Sequence, residues 1–226
     1  MKVALVLVAH SAKLAEGLAE LAGQMAPEVT VLPAGGLPGG GLGTDYDSVV
    51  AAVQRADSGA GVVLLYDLGS AQMTAELAVE SLPEEGTAVV ADAPFVEGAV
   101  AAAVAAQGGS TRDQVLAAAA AAGAPAEPAA VPAEPDGQDT RQAELTLRNE
   151  VGLHARPAAL LARGVADLDA QVRIRMGGTE VDAHSVLALM SLGARQGDRI
   201  EVLASGRQAQ EALERITSLV ERDFEE

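Results

Sequence analysis

Pro125, Pro128, Pro132 and Pro135 recur at spacings of three and four within an Ala/Glu/Asp-rich run, residues 124–140. Proline fixes φ and has no N–H, so this run cannot continue a helix or lie inside a sheet. No apolar period passes through it. It reads as an extended, polyproline-like linker of about 15 residues, spanning ~45 Å at about 3.1 Å per residue. A single continuous core is therefore excluded, and the sequence on each side must fold alone. The expected organisation is a first domain over 1–123, a linker over 124–140 and a second domain over 141–226.

Before the linker, solidly apolar runs alternate with amphipathic ones. Residues 2–9, 29–32, 61–66 and 87–91 read as strands, and 12–25, 46–57, 71–81, 95–107 and 111–122 as helices. Fully apolar strands between amphipathic helices predict an α/β, doubly wound, mostly parallel sheet covered on both faces. The Gly-rich stretch 34–43 reads as a loop. After the linker the period changes. Ala143, Leu145 and Leu147 alternate with polar residues, and Gly177-Gly178 separates two strand patterns, 172–176 and 179–182, as a hairpin turn does. With helices at 157–167, 185–192 and 207–223 and a strand at 199–204, this half predicts an α+β domain with helices on one face of an antiparallel sheet.

Composition narrows the chemistry. The chain holds no Cys and no Trp, and only two Phe and two Tyr, so the core must be aliphatic and thiolate chemistry is excluded. No metal site and no cofactor are expected. The net charge is −17, and residues 1–123 carry 4 basic against 14 acidic side chains. Such a surface repels nucleic acid and anionic membrane. The apolar runs are too short to span a bilayer, and Met1-Lys2-Val3 enters a strand pattern without the apolar core of a secretory signal. A cytoplasmic protein without membrane insertion is expected.

Two of the three histidines lie where a helix begins. His10 follows the apolar strand, and His154 precedes Ala155-Arg156-Pro157, with Pro157 read as the first helical residue. Imidazole is a nucleophile near neutral pH, with an unperturbed pKa of about 6.5. The free N–H groups and dipole of a helix start favour an anion. A nucleophile beside an anion cradle suits phosphoryl transfer, and two such sites on one chain suggest a relay. Arg156 can neutralise an oxyanion beside His154. Asp67 ends another apolar strand, where open α/β sheets gather their functional groups. It reads either as the group orienting the His10 imidazole or as a cap for the helix near Ser70. Backbone N–H groups of the Gly-rich loop can approach an oxyanion, although no Walker lysine follows. Ser185 reads as an N-cap, and His184 as a surface residue.

The second domain resembles the phosphocarrier HPr of the bacterial phosphotransferase system over about 141–223. Gly152-Leu153-His154-Ala155-Arg156-Pro157-Ala158 carries the resemblance, with Val181 through Gly193 matching the second HPr signature in spacing. His184 departs from the Lys or Asn usual there. The first domain resembles mannose-type enzyme IIA, and more closely the IIA-like domain of the DhaM family, the phosphotransferase subunits of bacterial dihydroxyacetone kinase. Val8-Ala9-His10-Ser11, Gly43-Thr44-Asp45, Asp67-Leu68-Gly69-Ser70-Ala71 and Ala93 through Gly98 carry it.

The resemblance implies that His154 accepts phosphate from a separate enzyme I, charged by phosphoenolpyruvate, and passes it to His10. From there it would reach ADP on a DhaL-type subunit, and the ATP formed would serve a DhaK-type subunit. Ser11, Gly43, Thr44, Gly69, Ser70 and Ala155 are the expected phosphoryl contacts. Ser185 aligns with the serine that a kinase modifies in some HPr proteins, and Val186, Leu187, Leu189 and Met190 include the HPr docking patch. Mannose-type IIA domains pair, so a homodimer through the first domain is implied. The alternatives are a IIA–HPr fusion serving sugar transport, a phosphorylation-dependent regulator, and a small-molecule-binding module with incidental histidines.

Overall fold

A computed structural model describes residues 1–84, 86–123 and 140–225. The chain divides into two compact units, Met1–Ala124 and Pro125–Glu226. The linker reading falls on 124–139, outside the described residues.

In the first unit four strands, β1 (Ala4–Ala9), β2 (Val31–Gly35), β3 (Val62–Tyr66) and β4 (Ala88–Val90), form one sheet in the order β2-β1-β3-β4. Every pairing is parallel. Helices α1 (Ala12–Met25), α4 (Phe95–Gln107) and α5 (Arg112–Ala121) cover one face, where Leu5, Leu7, Val63 and Leu65 meet Leu18, Ala22, Ala99, Ala103 and Val115. Helices α2 (Tyr46–Ala56) and α3 (Gly69–Glu80) cover the other, over Val6, Val8, Val62 and Leu64. The doubly wound reading holds, and the core is aliphatic. Large side chains such as Leu18 and Met25 each contribute about 1.5–3 kcal/mol by burial. Alanines supply close approach instead: Ala71, Ala75 and Ala78 lay one face of α3 on the sheet.

Two of the boundary differences from the sequence reading bear on the site. Strand β2 runs over 31–35 rather than 29–32, taking in Pro33 and Gly35. Proline is tolerated because β2 is an edge strand with one unpaired side. Glycine is required because a Cβ at Gly35 would sit 2.8 Å from the Ser11 carbonyl oxygen. Helix α3 starts at Gly69, two residues earlier than its apolar period begins.

The second unit is a four-stranded antiparallel sheet, β5 (Arg141–Thr146), β6 (Gln171–Met176), β7 (Thr179–Asp182) and β8 (Arg199–Ser205), in the order β5-β8-β6-β7. Val172, Ile174, Ile200 and Val202 point into the core beneath α6 (Ala155–Val165), α7 (Val186–Ser191) and α8 (Ala209–Glu221). Arg173, Arg175, Glu180 and Glu201 pair across the other face. The turn Gly177-Gly178 has φ of 56° and 90°, the left-handed pair a two-residue hairpin needs. Helix α6 begins at Ala155 with His154 as its N-cap, so Pro157 is the third helical residue rather than the first. Its missing N–H still costs nothing, because the first four helical amides have no intrahelical partner.

Candidate functional site

In the first unit the site lies at the carboxyl ends of β1 and β3, which are neighbours in register Val8↔Tyr66. The crossovers leaving these two strands run to opposite faces of the sheet, α1 on one and α3 on the other, which opens a crevice between them. His10 stands one residue beyond β1 and Asp67 one residue beyond β3. The Asp67 carboxylate accepts the His10 backbone N–H at 2.9 Å and meets His10 Nδ1 at 2.9 Å. Its side chain is 11% exposed, against 26% for the imidazole. On the far side of the ring, Nε2 lies 2.7 Å from Ser70 Oγ. The N-cap of α3 is Leu68, without a side-chain cap bond. Asp67 therefore binds the histidine and does not cap the helix.

The other expected phosphoryl contacts divide. Ser11 caps α1 by accepting from Leu14 N at 3.4 Å. The Gly43 N–H donates to the His10 carbonyl at 2.8 Å, so it fixes the glycine loop against the histidine and is engaged rather than free. Thr44 Oγ1 bonds Thr74 Oγ1 at 2.9 Å, and Thr74 in turn donates to the Ser70 carbonyl. Asp45 caps α2, and the Ser48 hydroxyl and N–H hold its carboxyl below the ordinary value. Gly69 and Ser70 occupy the open first turn of α3.

In the second unit, His154 is the exposed N-cap of α6, and its imidazole has no partner among the described residues. Ala155 and Arg156 follow in the first turn, and the Arg156 side chain is likewise exposed and without a partner among the described residues. The turn before His154 is tightly held. Asn149, buried at 4% exposure, donates from Nδ2 to the Gly152 carbonyl at 2.9 Å. Gly152 has φ of +67°, and a Cβ there would overlap the Ala194 carbonyl oxygen, which accepts from Leu153 N at 2.9 Å. The contact with residues 194–195 is not visible in the sequence, since it joins segments more than 40 residues apart, and the sequence reading did not single out Asn149.

Ser185 caps α7 by accepting from Ala188 N at 3.2 Å. Within the expected docking patch, Val186 and Leu189 are core, while Met190 is 38% exposed. His184 is exposed, as expected of a surface residue, and is paired with Asp182. Its N–H and Nδ1 both meet Asp182 Oδ1 at 2.9 Å. The Asp182 bond raises the imidazole pKa against the opposing effect of burial, and the Val165 backbone at the end of α6 adds to the rise. Burial disfavours the Asp182 charge, but the bonds from His184 outweigh it and hold the carboxyl low. Among the described residues, no group of three or more His, Cys, Asp or Glu could hold a metal, and no helix is long and apolar enough to cross a membrane.

The family model of the phosphotransferase-system (PTS) fructose IIA component matches residues 4–116, and that of the PTS HPr component phosphorylation site matches 141–222. The chain is 34% identical over 239 residues to the PEP-dependent dihydroxyacetone kinase phosphoryl donor subunit DhaM of Klebsiella michiganensis. That match covers 98% of this chain and 51% of the relative, so the chain spans about half the length of the DhaM proteins it matches. Over 81 residues it is 42% identical to the phosphocarrier protein NPr of Escherichia coli K12, covering 35% of this chain and 90% of NPr. A crystal structure described as a protein of unknown function superposes with a TM-score of 0.50 at 38% identity, covering 55% of this chain and 98% of that one.

Proposed function

The chain belongs to the PTS fructose IIA component family and carries a PTS HPr module behind that domain; from this premise we propose that it is a phosphoryl donor subunit of a PEP-dependent dihydroxyacetone kinase. Phosphate passes from phosphoenolpyruvate through enzyme I to His154, then to His10, then to ADP on a DhaL-type subunit. The ATP so formed phosphorylates dihydroxyacetone on a DhaK-type subunit. The chain works in the cytoplasm as a homodimer through its first unit. No resident cofactor is involved.

The observation that carries the chemistry is the Asp67–His10 pair. Asp67 takes Nδ1–H, which leaves the Nε2 lone pair as the attacking atom. In transfer, Nε2 of His10 attacks phosphorus, the P–N bond to His154 breaks, and the His154 nitrogen recovers its electron pair. The Asp67 charge steadies the imidazolium that forms. Ser70 Oγ turns from Nε2 to a phosphoryl oxygen, and the free amides at the start of α3 face the same charge. Arg156 and the first-turn amides of α6 play the corresponding part at His154. Positioning and charge stabilisation supply most of what such a transfer needs.

The choice of acceptor rests on similarity to DhaM over 98% of the chain. The family model's own description, a fructose IIA component, favours the rival, sugar transport through a IIB protein. The two separate in one experiment. The chain is charged with radiolabelled phosphoenolpyruvate and enzyme I, then offered DhaL with ADP or a IIB protein. Label in ATP supports the kinase reading; label on IIB with none in ATP overturns it.

A further inference from the structure

Asp67, His10 and Ser70 form a line of hydrogen bonds whose direction is set by chemistry. An ionised carboxylate only accepts, so His10 Nδ1 bears the proton at 2.9 Å from Asp67 Oδ1. Nε2 is then the bare nitrogen, and Ser70 Oγ, 2.7 Å away, is the donor to it. A hydroxyl donating to an imidazole that a carboxylate orients is the arrangement that makes serine a nucleophile.

The surroundings suit that chemistry. Ser70 is exposed in the first turn of α3. The amides of Ala71 and Gln72 both go to the Leu68 carbonyl, at 2.9 and 3.1 Å. The amides of Gly69 and Ser70 have no partner among the described residues, and unpaired amides beside the hydroxyl are what an oxyanion requires. Leu68 and Met73, 61% and 65% exposed, offer apolar surface on the same helix end. Phosphoryl transfer uses His10 as the nucleophile and leaves the polarised hydroxyl without a reaction of its own.

We propose that Ser70 is an acylatable serine, reactive toward activated carboxylic esters and fluorophosphonates while His10 is unphosphorylated. Ser70 Oγ attacks the carbonyl carbon of an aryl ester, and its proton passes to Nε2. The bond to the aryl oxygen breaks, and Nε2 returns the proton so that a phenol departs. Water, giving its proton to Nε2, then adds to the acyl-serine. Carboxylic acid leaves and the Ser70 hydroxyl is restored. A phosphoryl group on Nε2 removes the base, so charging of the relay silences the serine.

The test uses the full chain and a fluorophosphonate probe, read by intact mass and peptide mapping, with p-nitrophenyl acetate hydrolysis in parallel. The expected result is a single adduct on Ser70. Its rate of formation falls about 100-fold or more in His10→Gln and drops in Asp67→Asn, both first shown folded by circular dichroism. Ser70→Ala gives no adduct and no hydrolysis above buffer. Absence of an adduct on Ser70 in the wild-type chain overturns the proposal, and so does labelling of His10→Gln at the wild-type rate. The readout needs neither enzyme I nor phosphoenolpyruvate, so its failure leaves the relay standing, and failure of the relay leaves it untouched.

Discussion

Asp67 receives two N–H groups, one from the His10 backbone and one from its ring. Asparagine has the same shape but only one acceptor oxygen, so in Asp67→Asn one of those bonds is lost along with the charge. Phosphorylation and discharge of His10 should slow by at least about tenfold while the unit stays folded. Rapid-quench kinetics measure this, and an unchanged rate would assign Asp67 no part in transfer. At His184 the prediction concerns stability. Its pKa is raised above the ordinary 6.5, so its contribution is complete below that value and is lost as pH rises through the folded-state pKa. Asp182 is lowered from 3.8, so its contribution is present above 3.8 and is lost as pH falls through its folded-state value. The pair therefore stabilises the second unit most between about pH 4 and 6.5. Urea unfolding followed across pH should show stability declining as pH rises above 6.5, with the decline reduced in His184→Gln. His10, Asp67 and His154 were legible as residues because each ends a strand or starts a helix. The His184 pairing was not, because the turn after β7 that brings its ring back onto Asp182 leaves no periodic signal.

At the scale of elements, periodicity carried most of the reading and breakers carried its errors. The apolar runs of β1 and β3 and the turn Gly177-Gly178 could be placed from sequence because their signals are local. Strand β2 could not, since Pro33 and Gly35 look like loop residues until one sees an edge position and the nearby Ser11 carbonyl. The start of α6 was misplaced for a similar reason: Pro157 marks a helix start, but only the contacts of Asn149, Gly152 and Leu153 fix where it lies. The same turn makes a testable element. Gly152→Ala puts a Cβ into the Ala194 carbonyl and a left-handed conformation onto alanine. The backbone term alone costs about 1–2 kcal/mol, and the overlap adds to it. Denaturant midpoints should show the second unit destabilised by at least that much, with slower charging of His154. An unchanged midpoint would mean the turn is looser than described.

At the scale of the molecule, residues 1–123 carry 4 basic against 14 acidic side chains, whereas residues 141–226 carry 11 arginines against 14 acidic side chains, so the first unit is the more strongly acidic. If residues 124–140 form the extended tether expected from sequence, the effective concentration of one site at the other would be about the mM range, which is what the proposed transfer between modules would use. The proposed homodimer through the first unit would bring two His10 sites into one assembly. Light scattering at micromolar concentration should return the mass of a dimer, for the full chain and for residues 1–123 alike; a monomer mass for both would remove the homodimer from the account. The central claim is an ordered relay, and one variant examines it most directly. His154→Ala, given phosphoenolpyruvate and enzyme I, should leave His10 without phosphate, and addition of a separate HPr-type protein should restore charging of His10. Phosphorylation of His10 at the wild-type rate in that variant, with no HPr added, would contradict the relay.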